Sequence, residues 1–70
     1  MTQKINIIYE NADKILIEIV GNIIDYDSYT IILQDAFNKH SIIKVPRNKI
    51  TEAFYYNRNK RISIDLGELE

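Results

Sequence analysis

Aromatic side chains and cations are interleaved in the second half of this chain, and this pairing is typical of surfaces that bind single-stranded nucleic acid. Three consecutive aromatic residues, Phe54, Tyr55 and Tyr56, lie between Lys49 and Arg58. Aromatic faces stack on bases and cations follow the phosphate backbone, so the segment could hold RNA. The same residues also fit a strand in which Tyr55 and Tyr56 point to opposite faces, one into the core and the other to solvent or an interface.

The charges of the chain fall into three blocks. Residues 1–38 carry two basic and six acidic side chains, a net of −4, and residues 39–61 carry seven basic and one acidic, a net of +6. The remaining residues add three acidic side chains, and the sum is the −1 of the whole chain. A basic block in an acidic protein indicates local anion binding rather than strong non-specific binding of nucleic acid. It also fits a solvated face that assists self-association.

Catalytic and metal-binding patterns are scarce. The chain has no cysteine, no Gly-x-Ser-x-Gly elbow and no glycine-rich phosphate loop, and its one histidine, His40, makes an all-protein zinc site implausible. Asp25 and Asp27 form the one close carboxylate pair of interest, and in a turn such residues more often bind backbone N–H groups than metal. We therefore predict a protein that is not an enzyme and needs no cofactor or metal.

Length and composition predict one small domain over residues 1–70. A chain that is 46% hydrophobic and 27% charged is typical of ordered globular proteins. Domains of this size usually need disulfides, a metal or association for stability, and association is the route left here, so we expect a homo-oligomer. No stretch approaches the roughly 20 apolar residues of a membrane span. The first residues lack a signal-peptide core, so we expect a cytoplasmic protein.

Alternating apolar residues separated by turn signals predict an all-β domain of five or six short antiparallel strands with little or no helix. The predicted strands cover residues 4–10, 14–20 continuing over 22–24, 29–34, 41–45, 50–57 and 61–66. If consecutive strands pair as neighbours, such a sheet most naturally closes into a small, strongly bent barrel.

Two positions in this pattern need interpretation. Gly21 interrupts the second strand, and a glycine there usually marks a bulge or a sharp bend. Residues 50–57 fit a helix by the spacing of Ile50, Ala53 and Phe54, but their aromatic and β-branched residues prefer strands. We favour the strand.

The segment from Gly21 to Leu33 resembles the first motif of the Sm-like family, in the version found in the bacterial RNA chaperone Hfq. That pattern is a glycine, an aliphatic residue two positions on, aromatic-Asp-x-aromatic, and an aliphatic strand ending in leucine. The matching residues are Gly21, Ile23, Tyr26, Asp27, Tyr29, Ile31 and Leu33. Lys39-His40-Ser41-Ile42, followed by Val45-Pro46, looks like the second motif, although it lies closer to the first than in the family. Restoring the family spacing places Arg47-Asn48-Lys49-Ile50 there instead.

This resemblance, over residues 21–46, implies a bent barrel that assembles edge to edge into a ring and binds single-stranded, uridine-rich RNA around its pore. It implies that Tyr29 stacks on a base and that Ser28 beside it makes a polar contact. The groups that contact phosphate and base would be either Lys39 and His40 or Arg47 and Lys49.

Other interpretations stay open at this point. Tyr29 also fits a partly buried strand position, His40 an ordinary turn residue, and Asp27 a residue that only fixes a turn. A function of a different class is a small β-barrel module for protein–protein interaction, such as a phage or plasmid accessory protein. Its exposed edges and Tyr55 or Tyr56 would contact a protein partner, without nucleic acid.

Overall fold

The structure, a computed structural model, describes residues 4–66 and consists of one antiparallel sheet. Arg47–Lys49 form a 3-10 turn, and no helix among residues 4–66 is long and apolar enough to cross a membrane. The prediction of an all-β antiparallel fold with little or no helix is therefore confirmed. The strands are β1 Ile5–Glu10, β2 Leu16–Tyr26, β3 Thr30–Asp35, β4 Ile42–Pro46, β5 Ile50–Asn57 and β6 Lys60–Ser63.

The strand order in the sheet is β4-β3-β2-β1-β5-β6. The first four strands form the expected meander, and β5 and β6 form a second hairpin. The prediction that all consecutive strands pair is wrong at one step, because β5 pairs with β1 rather than with β4. The chain thus passes from one edge of the meander to the other through the 3-10 turn.

This crossing requires a strongly curved sheet. In a flat sheet β4 and β5 would be four strand spacings apart, about 19 Å. The three residues of the 3-10 turn rise only about 6 Å, and even a fully extended link from Pro46 to Ile50 would reach about 14 Å. Within residues 4–66 the sheet stays open, with β4 and β6 as its edges, so the closed barrel stays a prediction.

The core lies on one face of the curved sheet. Ile7, Ile31, Leu33 and Val45 are at most 1% exposed, and they occupy alternate positions of β1, β3 and β4. Burying a side chain of this size stabilises the fold by about 1.5–3 kcal/mol. The alternation predicted for β1, with Ile5 and Ile7 on one face, is therefore confirmed.

Gly21 is required by close packing against the neighbouring strand. A Cβ atom at this position would lie 2.3 Å from the carbonyl oxygen of Gln34, whereas ordinary contacts begin at 3.4 Å. The irregularity of β2 lies later, at Ile24, between the pairs Ile23–Leu33 and Asp25–Ile32. The prediction of a bulge in β2 is thus confirmed, but its placement at Gly21 is wrong.

Residues 50–57 form a strand, as favoured from the sequence, and a two-residue turn joins them to β6. Arg58 and Asn59 have φ angles of 53° and 68°. Positive φ at both central residues is the signature of a type I′ hairpin turn, whose twist matches that of the flanking strands. The last strand ends at Ser63, three residues earlier than the predicted limit of 66.

Candidate functional site

The loop between β2 and β3 is held by the carboxylate of Asp27. Its Oδ1 accepts hydrogen bonds from the backbone N–H groups of Tyr29 and Thr30, both at 2.8 Å, and the N–H of Asp27 donates to the carbonyl oxygen of Thr30 at 2.9 Å. These backbone hydrogen bonds, with a smaller contribution from the positive charge of Arg47, lower the pKa of Asp27. The interpretation of Asp27 as a turn-fixing residue is confirmed.

This turn presents Tyr29 to solvent. Its side chain is 82% exposed, and the residue precedes β3 rather than lying in it. The interpretation of Tyr29 as a partly buried strand residue is therefore wrong. An exposed ring on a turn that is fixed by hydrogen bonds can stack on a flat partner without rearrangement of the backbone.

Arg47, the first residue of the 3-10 turn, contacts the β2–β3 loop and the end of β2. Its backbone N–H donates to the carbonyl oxygen of Tyr29 at 2.8 Å, so the 3-10 turn is attached directly to the β2–β3 loop. The guanidinium carbon lies 5.8 Å from the ring centroid of Tyr26, within cation–π range. The Nε and Nη2 atoms are buried and have no hydrogen-bond partner among residues 4–66. Buried donors of this kind normally have an acceptor.

The β2–β3 loop and the 3-10 turn line an open cleft of about 530 Å³, here called the Tyr29 cleft. It brings together three of the residues proposed from the sequence: Ser28, Tyr29 and Arg47. Its lining includes an exposed aromatic residue, two hydroxyl residues and an arginine, and the negative charge of the nearby Asp27 interacts with the positive charge of Arg47. The cleft therefore suits an uncharged planar group with hydrogen-bond acceptors better than a bare anion. Its lining residues are Ser28, Tyr29, Thr30, Pro46, Arg47 and Asn48.

Lys49 lines a second cleft, of about 360 Å³, here called the Lys49 cleft. Pro46 belongs to both clefts and forms the wall between them. The sequence did not single out Tyr9 or Lys14 as partners of Lys49, because only the pairing of β5 with β1, in which Ile50 faces Tyr9, brings them together. The lining residues are Tyr9, Glu10, Asn11, Ala12, Lys14, Pro46 and Lys49.

Lys39 and His40 lie elsewhere. They occupy the exposed turn between β3 and β4, whereas Tyr29 and Arg47 flank the other end of that hairpin, four residues or about 13 Å along the strands. Their backbone is held locally, with the Nε2 of Gln34 donating to the carbonyl oxygen of Lys39 at 2.9 Å. Of the two alternative pairs, Arg47 lines the cleft of Tyr29 and Lys49 lines the adjoining cleft, whereas Lys39 and His40 line neither.

The aromatic run 54–56 is largely structural. Phe54 is 3% exposed and is covered by the guanidinium of Arg61 at 3.7 Å from its ring centroid. Arg61 also forms an ion pair with Glu52 at 2.9 Å. Tyr55 packs against the core while Tyr56 is exposed, so the predicted division between these two tyrosines is confirmed. Of this run, only Tyr56 is open enough to meet a ligand.

Residues 4–66 contain no group of three or more histidine, cysteine or carboxylate side chains that could hold a metal ion. Comparison of the chain with protein-family models, with curated proteins and with solved structures found no significant match.

Proposed function

We propose that this chain is an Sm-like homo-oligomer that binds single-stranded RNA, with the Tyr29 cleft as its base-binding site. The observation that carries the proposal is the 82% exposed side chain of Tyr29 in an open cleft that Ser28 and Arg47 also line. In this proposal the protein is a cytoplasmic binding protein and not an enzyme.

Stacking on Tyr29 supplies most of the affinity. A base stacked on an aromatic side chain contributes about 1–3 kcal/mol. One such contact is weak, but copies arranged in an oligomer bind successive bases of one strand and gain affinity through effective concentration.

Arg47 adds hydrogen-bonding specificity. Its Nε and Nη2 are donors without an acceptor among the described residues. In this proposal the side chain of Arg47 turns away from Tyr26 when RNA binds and donates to a carbonyl oxygen of a base; the two carbonyl groups of uracil are suitable acceptors. The opposing charge of Asp27 favours such a neutral acceptor and limits non-specific attraction of phosphates.

Association is supported by the exposed edge of the sheet. Ile42 in the edge strand β4 is 60% exposed and Phe37 in the preceding turn is 86% exposed. An edge strand with unpaired backbone groups and apolar side chains is a surface for another chain. A second copy is the occupant we propose. The same side chains favour the second candidate, a protein–protein interaction module in which this edge binds a different protein.

Binding of a fluorescent oligouridylate, followed by anisotropy at fixed salt, tests the proposal. Tyr29→Ala should weaken binding by at least about 5- to 150-fold, the equivalent of one lost stacking contact of 1–3 kcal/mol, because every protomer of the oligomer loses its contact. Tyr29→Phe keeps the ring and should bind like the original chain. His40→Ala is the control for the distant turn and should also leave binding unchanged.

Light scattering on the same samples gives the assembly state. An oligomer larger than a dimer that binds oligouridylate through Tyr29 supports the proposal. A monomer or dimer that ignores the oligonucleotide contradicts it and leaves the interaction module as the better explanation.

A further inference from the structure

We infer that the Lys49 cleft is a second nucleotide subsite, which takes the phosphate and base adjoining the nucleotide held in the Tyr29 cleft. The inference rests on the proposed function and extends it to a specific path of the strand. In this arrangement each protomer holds two successive nucleotides, one on either side of Pro46.

The two clefts are adjacent and lie on either side of the same short segment. Pro46 lines both, Arg47 lines the first and Lys49 lines the second. A strand leaving the Tyr29 cleft over Pro46 therefore enters the Lys49 cleft directly. Tyr9, Ala12 and Pro46 give this cleft apolar walls, against which the flat face of a base can pack.

The two clefts differ in charge, and the difference assigns them complementary tasks. In the Tyr29 cleft the cation Arg47 is offset by Asp27. Lys14 and Lys49 line the Lys49 cleft, with Glu10 as the one carboxylate residue of its described lining. Neither lysine has an ion-pair partner among residues 4–66. The net positive charge makes this cleft the better place for a phosphate.

The backbone at Lys14 supplies an independent observation. Lys14 has a φ angle of 62°, a left-handed conformation that glycine and asparagine adopt more easily than lysine. The turn is held by Asn11, whose Oδ1 accepts from the N–H groups of Asp13 at 2.9 Å and Ile15 at 3.0 Å. The side chain of Lys14 contributes nothing to these bonds. Lys14 is thus a residue of strained backbone conformation that lines the cleft, which is consistent with a functional reason for the lysine.

The variants that test the inference are Lys14→Asn and Lys49→Gln, with Lys14→Arg as the matched control that keeps the charge. Asparagine tolerates the left-handed conformation, so Lys14→Asn should unfold at the same temperature as the original chain or higher. Affinity for an oligouridylate long enough to cross both clefts should fall by up to about fivefold, as for one exposed ionic contact. The slope of log affinity against log salt should become shallower by about 0.7, the value for one phosphate of a single strand.

A uridine mononucleotide, which fills only the Tyr29 cleft, should bind with the same affinity to Lys14→Asn, Lys49→Gln and Lys14→Arg. The inference is overturned if Lys14→Asn and Lys49→Gln bind the longer strand with unchanged affinity and salt slope while Tyr29→Ala loses it. In that case the proposed function stands with one subsite. If the original chain binds no oligonucleotide, both the second subsite and the proposed function fall.

Discussion

Gly21→Ala is the substitution whose effect follows most directly from the packing of this sheet. The new Cβ would lie 2.3 Å from the carbonyl oxygen of Gln34, so β2 and β3 would have to separate by about 1.1 Å, the difference between 3.4 Å and 2.3 Å, to restore an ordinary contact. The obstacle is backbone and cannot rotate away. The strand that would move carries Ile31 and Leu33, both of them core residues.

The expected size of the effect follows from two opposing terms. Forcing an additional carbon into a packed region costs about 1–3 kcal/mol, and a backbone obstacle places this case at the upper end. Replacing glycine lowers the entropy of the unfolded chain and offsets about 0.4–1 kcal/mol. A net loss of about 2 kcal/mol should lower the unfolding temperature of a domain of this size by roughly 8–16 °C.

Urea unfolding followed by circular dichroism measures this change at fixed protein concentration. Thr51→Ala is a suitable control, because Thr51 is an exposed strand residue and its replacement should change stability by less than about 0.5 kcal/mol. An unchanged midpoint for Gly21→Ala would refute the reasoning, since it would mean that β3 can move away from β2 without disturbing the core.

Two further predictions concern local features. Because hydrogen bonds lower the pKa of Asp27 below its ordinary value of 3.8, its contribution to stability is present above that value and is lost as the pH falls through the lowered pKa. Asp27→Asn should be less stable than the original chain at neutral pH, and its stability should fall less steeply with pH below about pH 4. Acid unfolding of the two proteins measures this, and identical curves would contradict the prediction. In the β5–β6 turn, Arg58→Asn together with Asn59→Gly introduces the pair preferred in type I′ turns. Thermal unfolding should show a gain of about 0.5–1 kcal/mol, and a loss would mean that Arg58 has a stabilising contact beyond the turn.

Features that depend on neighbouring residues could be predicted from the sequence. Alternation of side chains identified the strands, because strand geometry puts successive residues on opposite faces wherever the strand lies in the sheet. The turn at Asp27 was predictable for the same reason, since its carboxylate reaches N–H groups only two and three residues ahead. The same local pattern identified Tyr29 and Ser28 as candidate site residues, but it did not predict that Tyr29 is exposed.

Pairing between distant segments was decided by the tertiary structure alone. The return of β5 to β1 curls the sheet, attaches the 3-10 turn to the β2–β3 loop and brings Lys49 to Tyr9 and Lys14. The pairing of β3 with β4 leaves Lys39 and His40 at the end of their hairpin that lies away from Tyr29. Gly21 shows the difference most simply. Its presence in a strand is visible in the sequence, but the reason for it, the carbonyl oxygen of Gln34, lies on another strand, and only the pairing of β2 with β3 brings the two together.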